Sequence, residues 1–151
     1  MVEQHTSPRR GEIRPRATQF PHGADIGVRG IGATREAAFE QAAKALASTI
    51  TDVRKVRLTE EVAIRCEAPD DRILLADWLN ALIYEMAVNR RIFGRFKVSL
   101  DGHRLSGRAW GERIDRSRHA PAVEPKGATY TAIEVGPRPD GSWIAQCVVD
   151  V

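Results

Sequence analysis

The sequence predicts an α+β domain: one two-layer unit with a mixed or antiparallel sheet and two main helices packed on one face. Three observations lead there. Two stretches carry apolar residues at helical spacing, and most of the remainder alternates apolar with polar residues. Asp-Gly pairs stand between neighbouring alternating runs, where hairpin turns belong. The 151 residues suffice for a single domain with its own hydrophobic core. Hydrophobic residues make up 42% and charged residues 28%, near the globular average, so composition alone selects no function.

Residues 1–18 have little apolar content and no period, which predicts a disordered tail before a domain over 19–151. Ala24 to Arg29 reads as a short strand, broken by Gly30, Gly32 and Ala33. Thr34 suits an N-cap and Glu36 a first turn. Phe39, Ala42, Ala43, Leu46 and Ile50 then recur at helical spacing over about 35–50. The alanines predict a helix lying close against a sheet. Val62, Ile64 and Cys66 alternate with Glu61, Ala63, Arg65 and Glu67 as a half-buried strand. Pro69, Asp70 and Asp71 end it and open a second helix, whose Leu74, Leu75, Trp78, Leu79, Leu82 and Met86 belong to the core. Phe96 to Leu100 and Leu105 to Trp110 flank Asp101-Gly102 as a hairpin. A loop over 111–126 follows, then a strand from Ala128 to Val135, the Asp140-Gly141 turn and a last strand from Trp143 to Val149.

The net charge is +3, mildly basic and compatible with nucleic-acid partners without requiring them. Cys66 and Cys147 lie in apolar runs and read as reduced core thiols of a cytoplasmic protein. The basic residues near the start have no apolar run behind them, so no secretory signal is expected, and no stretch is apolar for long enough to cross a membrane.

No P-loop, HExxH, nucleophile elbow or CxxC pair is present, and glycines 27, 30 and 32 lack dinucleotide-binding spacing. Three features remain. The sequence stops at Val148-Val149-Asp150-Val151, which sets an aspartate beside a terminal carboxylate. Two such hard oxygen donors repel each other unless a cation offsets them. In Pro21-His22-Gly23-Ala24-Asp25-Ile26-Gly27, a His and an Asp flank small residues. If Ile26 and Val28 face the core, Asp25 points the other way, as Asp150 does relative to Val149. Lys126-Gly127-Ala128-Thr129-Tyr130 places an amine, a hydroxyl and a phenol where a phosphate contact is chemically reasonable. Taken singly, each has an ordinary reading: a solvated terminal aspartate, a turn aspartate capping its own backbone, a solvated lysine.

Together and in order, these segments resemble the archease family. His22-Gly23-Ala24-Asp25-Ile26-Gly27 is similar to its opening motif, with Gly23 where threonine is usual. Trp78-Leu79-Asn80-Ala81-Leu82-Ile83-Tyr84 resembles its helix signature, and Gly111-Glu112 with Asp115 and His119 its central loop. Glu124 to Tyr130 resembles the segment before its last hairpin, with Thr131 in place of a histidine. Val149-Asp150-Val151 resembles its chain end. The resemblance implies an archease-like fold and a protein that is not itself an enzyme. It implies activation of an RtcB-type RNA ligase in tRNA splicing or RNA repair, with RNA met only indirectly. It further implies a divalent metal, calcium first and magnesium or manganese as alternatives, held by Asp25, Asp150 and the terminal oxygens of Val151. Lys126, His22, Glu112 and His119 become candidate contacts to phosphate or partner. Two rivals stand beside it: a stand-alone metal-dependent phosphoesterase, and an RNA-binding module using Arg90, Arg91, Arg95, Arg113, Arg116 and Arg118.

Overall fold

The computed structural model describes residues 13–151, so residues 1–12 of the expected tail lie outside the described residues. Order begins earlier than the expected boundary, because β1 spans Arg16–His22. It pairs antiparallel with β2, Asp25–Gly32, through a two-residue turn closed by His22 and Asp25. Gly23 takes φ +59° in that turn, a conformation glycine adopts freely and threonine does not.

The helix α1 runs Arg35–Ile50 as the spacing predicts, with the Thr34 hydroxyl accepting from the Ala37 amide. A 3-10 turn over Val53–Lys55 leads into β3, Glu60–Glu67. The second helix, α2, spans Asp71–Val88 and is capped by Asp70, whose carboxylate accepts from the Ile73 amide. After it come β4 (Arg91–Asp101) and β5 (Arg104–Arg113), joined by a tight turn at Gly102-His103 with Asp101 facing Arg104. The turn thus falls one residue later than Asp101-Gly102 suggests, and Gly102 carries the positive φ.

The expected loop over 111–126 is partly ordered. Strand β5 continues to Arg113, and Arg116–His119 forms a single helical turn, α3, capped by Asp115. The expected strand from Ala128 to Val135 is two short strands, β6 (Gly127–Ala128) and β7 (Glu134–Pro137). Between them the Thr129 hydroxyl donates to the Val148 carbonyl and accepts from the Thr131 amide, local bonds that replace a continuous ladder. The last strand, β8, is Trp143–Asp150.

The α+β class and the antiparallel pairing hold, but there are two sheets and not one. One follows the order β1-β2-β8, with β6 and β7 sharing the far edge of β8; the other is β3-β5-β4. Both helices lie between them. Helix α1 packs on β1, β2 and β8 on one side and β4 on the other, while α2 touches strands of both sheets. The composition of α2 requires this. Leu74, Leu75, Ala76, Trp78, Leu79, Leu82 and Ile83 are all buried and wrap more than one stripe, so a sheet on one side alone would leave apolar surface in water.

Candidate metal centre and its surroundings

The site residues are placed by strand alternation. Val28, Ala145, Cys147 and Val149 belong to the core between the sheets. Asp25 and Asp150 alternate with these positions and so fall on the outer face of the five-stranded sheet. Ile26 pairs with Val149, and one step further in the same register Asp25 comes opposite Asp150. On the other side of Asp25 its ladder partner is His22. Beyond Asp150 lies β6, where Gly127 is the register partner and the Lys126 amide donates to the Asp150 carbonyl at 2.8 Å. Four adjacent strands thus bring His22, Asp25, Asp150 and Lys126 to one end of one sheet, with Val151 next in the chain. Asp150, Lys126 and His22 are exposed, and Asp25 is half-buried. Asp25 and Asp150 bring carboxylate oxygens, the donor type of a hard divalent cation, and His22 a ring nitrogen beside them. Among the described residues no three His, Cys, Asp or Glu side chains converge on one point.

Glu112 and His119 are elsewhere and are occupied. His119 is 2% exposed. Its Nδ1 accepts from the Asp115 amide at 2.8 Å, so the ring proton sits on Nε2 and is donated to Glu112 at 3.1 Å. The same carboxylate takes the Arg118 guanidinium and the Arg57 amide. The Arg118 hydrogen bonds hold the Glu112 carboxyl down at about 2. Neither ring nitrogen of His119 is open to a ligand, and the dyad clamps α3 and the 114–120 segment to the domain. The other arginines of that group are dispersed. Arg91 pairs with Glu60 and Glu85, and Arg95 lies over the Trp110 ring.

Reading the sequence missed Asn80 as a positioning residue. Its side-chain oxygen accepts from the Ala128 amide at 2.8 Å and fixes β6 beside α2. An asparagine inside a strongly apolar helix was the available signal. Both cysteines are free, as expected, and burial pushes the Cys147 thiol up to about 12 and the Cys66 thiol to about 11.

The sequence profile of the Archease protein family (MTH1598/TM1083) matches residues 18–151. The chain belongs to the archease family. It is similar to the protein archease of Pyrococcus furiosus, with 41% identity over 136 residues, 87% of this chain and 96% of that one. The protein archease of Methanopyrus kandleri is 36% identical, covering 88% and 97%. Among solved structures, Methanobacterium thermoautotrophicum protein 1598 superposes with a TM-score of 0.76 at 28% identity, covering 89% of this chain and 98% of its own. The archease profile therefore takes in most of β1 and every element from β2 onward, including both candidate carboxylates. Among the described residues no helix is long and apolar enough to cross a membrane.

Proposed function

We propose that this archease-family chain is a metal-binding accessory protein that activates an RtcB-type RNA ligase, acting as a cofactor protein and not as a catalyst. The observation that carries the reading is the register placing Asp25 opposite Asp150 on an outward face, next to the Lys126 segment. Asp25, Asp150 and the main-chain oxygens of Val151 would hold the ion. Calcium suits such a mixed carboxylate and main-chain oxygen set, and magnesium or manganese is the alternative. When bound, the ion supplies positive charge that stabilises developing negative charge at a phosphoryl centre. The chain's own residues do the rest. The β1–β2 turn and the end of β8 form an exposed edge that fits into a partner's cleft. Lys126 and His22 flank the carboxylates, where they can meet phosphate oxygens. The work belongs in the cytoplasm, which keeps both thiols reduced.

Multiple-turnover RNA ligation by the cognate ligase tests this, with wild type beside Asp150→Ala and Asp25→Ala. Wild type should sustain repeated turnover, and both variants should lose stimulation by about 100-fold or more, at least the upper end of the roughly 10–100-fold that losing an outer-shell partner of a metal ligand costs. Unchanged far-UV circular dichroism and thermal midpoint in the variants should accompany that loss. Stimulation by the variants equal to wild type would sink the proposal. Metal-dependent hydrolysis of an RNA end by the pure protein would turn it into the phosphoesterase reading.

A further inference from the structure

The outer face of the five-stranded sheet carries a second feature, away from the carboxylates. Arg16 on β1, Arg29 on β2 and Arg138 just past β7 line an open groove of about 590 Å³, together with Thr18, Gln146 and a single carboxylate, Glu134. Among the described residues none of these three arginines forms an ion pair. The outer face of the three-stranded sheet is built differently. There Arg104 pairs with Glu67 and Arg108 with Glu61, each at 3.4 Å, so these two arginines are neutralised across strands, while Arg65, Arg95 and Lys97 stand on the same face outside those pairs and Arg95 covers the Trp110 ring. Three cations gathered around Glu134, with Asp140 near Arg138, leave net positive charge that attracts a polyanion.

The chemistry around Arg29 narrows the class. Its Nε donates to the Gln146 side-chain oxygen at 2.8 Å, and its guanidinium lies 4.7 Å from the Phe20 ring centroid. It is thereby held in place within the groove. Guanidinium planes and aromatic rings are the surfaces on which unpaired bases stack. The two apolar residues of the groove, Ile31 and Ile144, are only 6% and 8% exposed. The groove therefore lacks the protruding apolar anchor on which protein interfaces concentrate their energy.

We propose that this face binds single-stranded nucleic acid directly, with Arg16 and Arg138 contacting phosphates and Arg29 stacking against a base. The inference rests on the groove itself and not on ligase activation. A bound strand would lie on the same face as Asp25 and Asp150.

The test is fluorescence anisotropy of the full chain with a fluorescein-labelled oligouridine of about ten nucleotides, in EDTA, over a potassium chloride series. Wild type should bind with an affinity that falls as salt rises. The Arg16→Gln/Arg138→Gln double variant should bind about tenfold or more weakly, with the log–log salt slope reduced by about 1.4, or about 0.7 for each lost phosphate contact. Arg29→Lys should weaken binding with the slope unchanged, because the charge stays while the flat stacking surface goes. Arg104→Gln/Arg108→Gln, on the other sheet, should change neither quantity. Absence of binding at low salt, or equal losses from both double variants, would overturn the proposal. So would RNA binding that survives in Arg16→Gln/Arg138→Gln while ligase stimulation is lost, since the face would then dock an acidic protein. EDTA in the anisotropy measurement keeps RNA binding separate from the outcome of the metal-site experiment.

Discussion

At the scale of single residues, the two kinds of candidate part company. Asp25 and Asp150 could be paired from the sequence only through alternation against Ile26, Val28 and Val149, and their register makes them neighbours. Glu112 and His119 carry the same chemical letters but end up in a closed, buried network. Nothing in a loop sequence reveals that a histidine will be covered, because the covering groups come from the 51–57 segment, far away in the chain. The network makes a pH prediction. The Glu112 carboxyl is held at about 2 when folded, chiefly by the Arg118 hydrogen bonds, against about 4.3 in an unfolded chain. A lowered folded value means that the ionised form stabilises the fold. That contribution is complete above about pH 5 and drains away as the pH falls from there toward 2. The thermal midpoint of Glu112→Gln should therefore lie below wild type at pH 7, and the gap should close by about pH 2. A gap independent of pH would mean that Glu112 contributes through packing alone.

At the scale of elements, both helices were legible because their signals are local. Thr34 and Asp70 sit at the caps, and the apolar spacing between caps and stops needs no distant partner. Strand β1 was not legible. It is an edge strand whose Arg16-Ala17-Thr18-Gln19-Phe20-Pro21-His22 mostly meets solvent, so it shows little alternation. The division into two sheets was hidden for another reason: periodicity marks a strand but does not say which strand it pairs with. The glycines at 30 and 32 looked like strand breakers and instead lie within β2. A Cβ on Gly30 would stand 2.1 Å from the Ala38 carbonyl oxygen and 2.2 Å from the Ala42 nitrogen, both in the backbone of α1. Backbone cannot swing aside, so the helix would have to lift off the sheet. Gly30→Ala should cost about 1–3 kcal/mol in urea unfolding, as overpacking does, outweighing the gain of about 0.4–1 kcal/mol that removing a glycine brings at a permissive site. A stabilised variant would show that α1 does not rest on β2 this closely.

At the scale of the whole molecule, the helices are a shared core for both sheets. Trp78 of α2 donates its indole N–H to the Phe39 carbonyl of α1 and meets the Phe96 ring of β4 edge-on. Neither sheet has apolar cover without this layer, so the domain should unfold in one step. Trp110 and Trp143 report on opposite sheets. Fluorescence of Trp143→Phe, in which Trp110 remains along with the core Trp78, and of Trp110→Phe, in which Trp143 remains along with it, should each give a urea transition coincident with far-UV circular dichroism. Transitions at separate urea concentrations would mean that the sheets melt independently. The position of β8 has a consequence for synthesis. Strand β8 bridges β2 to β6 and β7, and its Gln146 meets Arg29 from 117 residues away. While the ribosome is still translating the middle of the chain, Asp25 can exist only on the two-stranded β1–β2 ribbon with α1 against it, with no opposing carboxylate. Closing so long a loop comes late in folding. The acidic pair therefore forms only after β8 has been made and inserted, and a chain cut short before Trp143 would lack it.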